Sequence, residues 1–432
     1  MDHHHQPANQ KHHLLYLPLV IKRELVYAIA FLIVVASSFF VFDLIGSFDP
    51  RSVFRFGFIK NDKDSSQSAA CDYSRGRWVR DESYKNLSYT ESCPFLDPGF
   101  RCVQNGRKDA DYRNWRWQPE GCDLPSVYIE IFLNSLLQFL LRFNASEILN
   151  RGRNGRVVFA GDSVGRNQWE SFLCMLAQGV ANKSSIYEEN GNPITKHKGF
   201  LSMRFSEYNL TVEYYRAPFL VFIGRPPRSS PAGIKMTIKV DQLHWFSRNW
   251  EGADVLMFNT GHWWNEDKTV KMGNYFEDGG KVNMSLNVME AFQKSLQTWK
   301  SWGENLSHEG TRVFFRGYSP VHYRNGTWDE GGRCDVDIRP EANYMMLEPE
   351  PVYNQIISTV IKEMDYGDRK VRFLNVTHLS QFRYDGHPSR HREPGTPVDA
   401  PQDCSHWCLP GIPDTWNEIL YANLLSMGFR TR

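Results

Sequence analysis

The sequence predicts an α/β fold built around a central parallel sheet. Short apolar runs, rich in β-branched and aromatic residues, have the length of buried strands, and they lie at residues 157–160, 255–258, 313–315 and 371–374. Apolar side chains also recur at helical spacing, over residues 127–149, 288–302 and 353–364. A Thr-x-x-Glu capping box at residues 415–418 predicts a last helix. Strands that alternate with helices are typical of layered α/β domains.

The N-terminal part of the chain predicts a membrane anchor followed by a stem. Residues 25–42 carry no charge, and at about 1.5 Å per residue they are long enough to span a bilayer. Lys22 and Arg23 precede this run, so the positive-inside rule leaves the N-terminus cytoplasmic. A cleavable signal peptide is the alternative, but the run is longer than a signal core. We expect a cytoplasmic tail at 1–24, a transmembrane signal anchor at 25–45 and a lumenal stem at 46–70.

Cysteines and glycosylation sequons both indicate an oxidising, secretory compartment. All eight cysteines follow the apolar run, and an even number in such a compartment predicts disulfides. Zinc is the competing explanation, but no C-x-x-C pair with matching histidine spacing is present, so no metal site is expected. Sequons begin at Asn86, Asn144, Asn182, Asn209, Asn283, Asn305, Asn325 and Asn375. Their number exceeds the roughly two or three that average composition gives, which favours a glycoprotein.

The ordered region divides into two predicted parts. Residues 71–125 contain four of the cysteines among glycine, proline and tryptophan, and they show no sustained helical period. This composition predicts a small subdomain tied by disulfides rather than by a core of its own. Residues 126–432 contain the predicted strands and helices, and we assign the chemistry to them.

Gly161-Asp162-Ser163 joins the first predicted strand to a helix and supplies a candidate nucleophile. The helix is indicated by apolar residues on one face, at Trp169, Phe172, Leu173 and Leu176. Ser163 therefore lies at a helix N-terminus, where free N–H groups and the positive end of the dipole stabilise an oxyanion. The alternative is that Asp162 or Ser163 only caps this helix.

Asp403 and His406 supply the partners that a nucleophilic serine needs. A serine hydroxyl requires a base, and a histidine base requires a carboxylate that fixes its tautomer and stabilises its cation. Three residues apart, Asp403 and His406 can present both groups from one turn. His387 is a rival base, because Asp385 lies two residues before it and Pro388 restrains its backbone to an extended form.

Five segments of the chain carry a family pattern, residues 71–73, 93–102, 112–119, 259–264 and 403–408. Through these segments the chain from residue 71 onward resembles the plant TRICHOME BIREFRINGENCE-LIKE family of wall-polysaccharide O-acetyltransferases. Gly-Asp-Ser near the start of the domain and Asp-x-x-His near its end are also similar to the GDSL/SGNH hydrolases. The resemblance implies an SGNH-like, PC-esterase domain of three α/β/α layers, and it places the base at His406 rather than at His387.

The resemblance extends to the roles of individual residues. Ser163, His406 and Asp403 are expected to form the catalytic triad, with the Ser163 N–H and the Asn259 side chain holding the oxyanion. Four disulfides are implied, which join Cys71 to Cys122, Cys93 to Cys174, Cys102 to Cys408 and Cys334 to Cys404. From the residues alone, eight cysteines leave the connectivity open.

Composition excludes a nucleic-acid partner and favours a sugar. The net charge is +1, and no long basic tract is present. Aromatic residues make up 14% of the chain, and many of the 13 tryptophans stand beside glycine or polar residues, as in a sugar-binding groove. The alternative for each tryptophan is a place in the core. The predicted substrate contacts are Arg166, His262, Trp263 and His387.

We therefore expect two-step acetyl transfer to a cell-wall polysaccharide such as xylan, pectin, mannan or xyloglucan. The acetyl donor, acetyl-CoA or an acetylated intermediate, is a co-substrate, and no bound cofactor is expected. A hydrolase shares this chemistry, and a non-catalytic wall-glycan-binding protein would keep the fold, so the choice of transferase follows from the resemblance. The expected location is the Golgi membrane, as a single-pass type II protein with a lumenal catalytic domain.

Overall fold

The computed structural model describes residues of the unit Ala70–Arg432. The described residues are 71–82, 84, 89–124, 127–129, 139–141, 143–306, 310–341, 347–364 and 371–431. None of the helices in these ranges is long and apolar enough to cross a membrane. The predicted cytoplasmic tail, anchor and stem lie outside the described residues.

The first half of the unit is mainly β-structure with a long helix in its middle. In chain order the elements are β1 Gly76–Arg80, β2 Trp115–Pro119, β3 Val127–Ile129, β4 Phe139–Leu141, α1 Ala145–Arg151, β5 Arg156–Gly161, α2 Ser163–Ala177, β6 Ile186–Glu188, β7 Phe200–Phe205, β8 Leu210–Arg216, β9 Val221–Gly224 and β10 Met236–Leu243. The strand and the helix predicted on either side of Ser163 are β5 and α2.

The second half alternates strands and helices. Its elements are α3 Ser247–Trp250, β11 Val255–Phe258, β12 Asn274–Asp278, β13 Lys281–Asn283, α4 Val288–Glu304, β14 Arg312–Arg316, α5 Val352–Glu363, β15 Arg372–Leu374, α6 Thr377–Gln381 and α7 Ile412–Ser426. The predicted strands β11, β14 and β15 and the predicted helices α4 and α5 are confirmed, with ends that differ by at most two residues.

A seven-stranded sheet forms the centre, in the order β15-β14-β11-β5-β8-β7-β6. Its first five strands are parallel, as predicted. The prediction of a purely parallel sheet is wrong at one edge, because β7 and β6 run antiparallel to their neighbours. The chain returns from β7 to β8 through a tight turn that ends at Asn209, which adopts a left-handed conformation (φ 51°). So short a connection can join only antiparallel strands.

Both faces of this sheet are covered, which gives the layered architecture that the sequence predicts. Along β5, Val157 and Phe159 face a core that also contains residues of α2 and α7. Val158 and Ala160 face a second core that contains residues of α4 and α5. A second, four-stranded sheet, β13-β12-β10-β9, contributes Ile238 to this second core and packs against α4. The sequence analysis does not predict this second sheet.

The helix predicted at residues 127–149 begins later than predicted. Residues 127–129 and 139–141 pair as an antiparallel ribbon, and among the described residues of the predicted helix 127–149 the helical part begins at Ala145. The ribbon begins with Val127, Tyr128 and Ile129, residue types that favour extended backbone. Asn144 caps α1 by accepting the Glu147 N–H at 3.0 Å.

The last helix begins at Ile412, three residues before the predicted start at Thr415. The side chain of Asp414 accepts the Gly411 N–H at 3.1 Å, and Pro413 lies in the first turn. Both features are typical of a helix start. Thr415 is therefore inside the helix and does not cap it.

The unit contains four disulfides, and two of them tie the Cys-rich segment to the rest of the unit. The four bridges join Cys71 to Cys122, Cys93 to Cys174, Cys102 to Cys408 and Cys334 to Cys404, the same pairs that the family resemblance implies. Only the first lies within the segment. The second reaches α2, and the third reaches the loop before α7, so the segment is attached to both sides of the predicted site.

Candidate active site

Ser163 is the first residue of α2, directly beyond the carboxyl end of β5. Asp162 provides the cap of this helix, because its Oδ1 accepts the Val164 N–H at 3.0 Å. The Ser163 hydroxyl is thereby free for other chemistry. Of the two alternatives drawn from the sequence, capping and nucleophile, the structure assigns the cap to Asp162.

Asp162 is fully buried and lies at the bottom of the site. Asn259 donates from Nδ2 to its Oδ1 at 2.6 Å, and the His262 ring approaches its Oδ2 at 3.3 Å. Burial favours the neutral acid, but the charges of His262 and Arg316 and the hydrogen bonds from His262 and Asn259 together lower the pKa of Asp162 far below its usual range. The turn before Ser163 is therefore held by a buried carboxylate.

Gly161 and Gly165 allow Asn259 to approach this turn. A Cβ at Gly161 would lie 2.1 Å from Asn259 Oδ1, and one at Gly165 would lie 1.9 Å from the same atom. No side chain fits in these places without moving Asn259. The two glycines of the Gly-Asp-Ser-x-Gly pattern thus leave the space that the Asn259 side chain occupies. Asn259 directly follows β11.

Ser163, His406 and Asp403 are joined in one hydrogen-bonded chain. Ser163 Oγ lies 2.8 Å from His406 Nε2, and His406 Nδ1 lies 2.9 Å from Asp403 Oδ2. The carboxylate accepts from Nδ1–H, so Nε2 carries the lone pair that faces the serine hydroxyl. The side chains of His406 and Asp403 are 22% and 20% exposed, so both partners of Ser163 are partly accessible to solvent.

Asp403 also shapes the turn that presents His406. Its Oδ1 accepts the backbone N–H groups of Ser405 and His406 at 3.2 and 3.0 Å. Burial opposes ionisation, but the His406 ring and these N–H groups lower the pKa of Asp403 well below its usual range. For His406, burial lowers the pKa, but the Asp403 carboxylate prevails and raises it above the ordinary value.

The loop that carries His406 is fixed to α2. The Asn167 side chain forms two hydrogen bonds with the backbone of Trp407, accepting its N–H at 2.8 Å and donating to its carbonyl at 3.1 Å. Asn167 lies one turn after Ser163. The same helix therefore positions both the nucleophile and the residue next to its base.

Two family descriptions match the chain. One, the GDSL/SGNH-like acyl-esterase family found in Pmr5 and Cas1p, matches residues 140–423, and the other, the PMR5 N-terminal domain, matches residues 69–123. The chain is 60% identical over 384 residues to trichome birefringence-like 9 of Arabidopsis thaliana, covering 88% of this chain and 89% of that protein. It is 42% identical to trichome birefringence-like 6 of the same plant, covering 84% and 72%.

The chain belongs to the trichome birefringence-like family. Its larger domain is one of acyl esterases, so the chemistry that the family supports is the transfer of an acyl group to water or to another hydroxyl. The seven-stranded mixed sheet, its covered faces and the four disulfides agree with an SGNH-like domain in this family.

His387 does not contact Ser163 in this trichome birefringence-like chain. It is buried, donates from Nδ1 to the carbonyl oxygen of His406 at 2.6 Å, and stacks on the Trp407 ring. Its Nε2 faces His322 Nδ1 at 2.7 Å. His387 thus supports the loop that carries His406. Its burial contradicts the prediction that it contacts the substrate.

Arg166 is likewise interior rather than a substrate contact. Its guanidinium forms ion pairs with Glu170 at 2.6 Å and with Asp97 at 3.3 Å, and it is 4% exposed. Asp97 precedes a short turn that carries Phe100, whose ring lies 5.6 Å from the ring of His406. Arg166 therefore connects the Cys-rich segment to α2 beneath the site. The predicted substrate contact rests on the place of Arg166 in the first turn after Ser163, and position alone does not distinguish a substrate contact from an interior ion pair.

His262 and Trp263 lie beside the site, in the turn after β11. His262 contacts Asp162 and the carbonyl oxygen of Ser319, and its ring stacks on Tyr318 at 4.5 Å. Trp263 is partly buried, with one face near two basic side chains. Both residues remain candidates for substrate contact.

Sequence reasoning does not predict several of the contacts that support the site. Asn167 and His322 act through partners that are far away in the chain, at 240 and 65 residues. No local pattern marks such a contact. Gly165 does carry a signal, since a glycine in the first turn of a helix is unfavourable unless a neighbour requires the space. Within the described ranges, no group of three or more His, Cys, Asp or Glu side chains is arranged to hold a metal.

Proposed function

We propose that this chain is an O-acetyltransferase that moves an acetyl group, through an acetylated Ser163, onto a hydroxyl of a plant cell-wall polysaccharide. The observation that carries the proposal is the chain of hydrogen bonds from Ser163 through His406 to Asp403. It is the arrangement that a serine needs to become a nucleophile. Membership of an acyl-esterase family supports the acyl group as the one transferred.

In the first step His406 is the base. Nε2 takes the proton of the Ser163 hydroxyl while Oγ attacks the carbonyl carbon of the acetyl donor. The tetrahedral intermediate then expels the donor's leaving group, which takes that proton from Nε2. The ester of Ser163 remains, and Asp403 stabilises the imidazolium between the two proton transfers. The donor is acetyl-CoA or an acetylated intermediate, which acts as a co-substrate.

Two groups are positioned to bind the oxyanion. The Ser163 N–H is the first of α2, and the early N–H groups of a helix have no partner within the helix. Asn259 uses one Nδ2 hydrogen for Asp162 and has a second available. We assign the oxyanion to these two donors.

In the second step a sugar hydroxyl replaces water as the acceptor. It gives its proton to His406 and attacks the ester, and the alkoxide of Ser163 leaves with that proton. A hydrolase differs only in this step. The partial exposure of His406 allows either acceptor to reach it, so the choice of a sugar rests on the family.

A lumenal, Golgi-membrane location completes the proposal, with the type II orientation that Lys22 and Arg23 predict. Its support is the oxidation state of the protein: all eight cysteines are paired in disulfides, which form and persist in the secretory pathway. The proposed partners are the membrane, through the N-terminal helix, and the polysaccharide acceptor.

The test is acetyl transfer by the full chain, purified in detergent from a secretory host. The protein is incubated with an acetyl donor and a panel of deacetylated wall oligosaccharides, and mass spectrometry detects the gain of one acetyl group. Ser163→Ala is the matched control. Free acetate without an acetylated sugar would identify an esterase, and binding of oligosaccharide without either product would identify a glycan-binding protein.

A further inference from the structure

Two basic side chains and two tryptophans form a linked surface that the proposed mechanism does not use. We call Arg216, Trp263, Lys268 and Trp328 the Trp263 platform. Arg216 ends β8 and pairs in register with Gly161 of β5, two residues before Ser163. Trp263 follows His262, which contacts Asp162. The platform therefore starts at the ends of β8 and β11, the two strands that pair with β5.

The aromatic rings and the cations alternate along the platform. The Arg216 guanidinium lies 5.6 Å from the Trp263 ring centre, and Lys268 Nζ lies 5.7 Å from the same ring. Lys268 Nζ is also 5.5 Å from the ring centre of Trp328. Trp328 is 43% exposed, and its Nε1–H donates to Asp267 at 3.1 Å, which fixes the indole although it is at the surface.

The two carboxylates that are linked to the platform already have partners. Asp267, which accepts from Trp328, pairs with Lys271 at 2.7 Å, and Asp162 is held by Asn259 and His262. Glu266 and Asp329 lie near Lys271. Within the part of the chain that the structure describes, Arg216 and Lys268 form no ion pair. Asp267 lies within electrostatic range of Lys268, but its short contact is with Lys271, so both cations can still take an external anion.

We infer that the Trp263 platform binds a carboxylate-bearing sugar, a uronate residue, of the acceptor polysaccharide. The inference rests on the proposed function, because it concerns the acceptor of that reaction. The exposed indole of Trp328 can pack against the C–H face of a sugar ring. Guanidinium and ammonium groups such as those over the Trp263 ring donate charge-assisted hydrogen bonds to a carboxylate on that sugar. A neutral polymer would use the ring and leave both cations without a partner.

The test compares two acceptors with the same sugar backbone, one with charged carboxylates and one with neutral methyl esters. An oligogalacturonide and the same oligomer with methyl-esterified carboxyl groups are offered to the full chain. We expect a lower KM for the acidic oligomer. Arg216→Gln and Lys268→Met should each raise that KM about tenfold, as expected for the loss of one charge-assisted contact, and should raise the KM of the methyl ester much less. Lys281→Met, on β13, removes the same charge elsewhere and is the matched control.

Binding to the Ser163→Ala protein separates this inference from the proposed function. Calorimetry should show that this variant binds the acidic oligomer more tightly than the methyl ester. If it does while the wild-type protein acetylates neither, the proposed function fails and the platform stands. Equal KM values for the two oligomers, with transfer observed, would overturn the platform and keep the function. A rise in the KM of the acetyl donor in Arg216→Gln would also overturn it, because the cations would then belong to the donor site.

Discussion

His387 donates its Nδ1–H to the carbonyl oxygen of His406 across 2.6 Å, so one histidine holds the backbone of another. The carbonyl can only accept, which leaves the lone pair of His387 on Nε2, where His322 Nδ1–H donates at 2.7 Å. Burial lowers the pKa of His387 to about 4, so the ring is neutral at pH 7. His322 also joins the loop through its backbone, since its N–H donates to Cys404 at 3.0 Å.

This relationship predicts different effects for two amides at position 387. His387→Asn places an amide N–H near the position of Nδ1 and should keep the contact with His406. His387→Gln reaches instead toward the position of Nε2 and should lose it. We expect kcat to fall about 100-fold in His387→Gln, because a base displaced by about 1 Å loses that much, and to stay near wild type in His387→Asn.

The measurement is kcat and KM for acetyl transfer, with thermal unfolding as the control for folding. A purely structural role would lower the activity of both variants in proportion to their stability. Equal activity in the two amides would contradict a positioning role for His387.

The sequence predicts the parts of the site that depend on local pattern. Val157–Ala160 and the apolar face from Trp169 mark a strand and a helix, and a serine between them has to lie at a helix N-terminus. The support of His406 is different, because Asn167, His322 and His387 are brought to it by the fold. The antiparallel edge strands β6 and β7 are also missed, since their short, mixed composition does not distinguish them from loops.

Ser163→Ala should abolish acetyl transfer and leave folding unchanged. The substitution removes one partly exposed oxygen, so the free energy of unfolding should change by no more than about 0.5 kcal/mol. His406→Ala should be comparably inactive, with both rates reduced by at least about 1,000-fold, because members of such a unit act together. The measurement is the transfer rate per folded protein. Wild-type activity in Ser163→Ala would leave Ser163 as no more than the first residue of α2.

The predicted topology is open to a protease test. In sealed Golgi vesicles, added protease should remove a tag at the N-terminus and spare the disulfide-bonded unit, because Lys22 and Arg23 precede the apolar run. Immunoblots against each end of the chain report the result. Detergent is the control, since it should expose both ends. Digestion of the C-terminal domain in intact vesicles would refute the type II orientation.

The pH dependence of transfer should report His406. The base must be neutral, and Asp403 favours the imidazolium and raises the pKa of His406 above 6.5 despite its burial. Activity should therefore rise with pH through a midpoint above 6.5. Asp403→Asn removes the charge, so the midpoint should move down, and the plateau rate should fall by about 10,000-fold because the ring loses its orientation.

The control for that profile is Asp278→Asn, which removes a carboxylate on β12 that pairs with Lys294. Its midpoint should match that of the wild type. An unchanged midpoint in Asp403→Asn, measured on kcat/KM with saturating donor, would show that another group is the base.

The disulfide between Cys102 and Cys408 should matter for activity more than for stability. Cys408 lies two residues after His406, its N–H donates to Gly386 at 2.9 Å, and its bridge fixes the loop to the turn that carries Phe100. Cys71–Cys122 closes a loop within the Cys-rich segment, and this bridge is the matched control. Each bridge contributes about 3 to 5 kcal/mol in the chain-entropy model. Replacing both cysteines of a pair by serine, which leaves no free thiol, should destabilise either variant by that order.

The two variants should differ in rate. Without the Cys102–Cys408 bridge, the loop retains the Asn167 and His387 hydrogen bonds but loses its covalent tie, and a shift of about 1 Å at His406 costs about 100-fold. Without Cys71–Cys122, the loop keeps every contact, so kcat per folded molecule should remain near wild type. Both are measured well below their unfolding temperatures. If the two variants lose the same fraction of kcat per folded molecule, the bridge stabilises the unit as a whole and does not position the base.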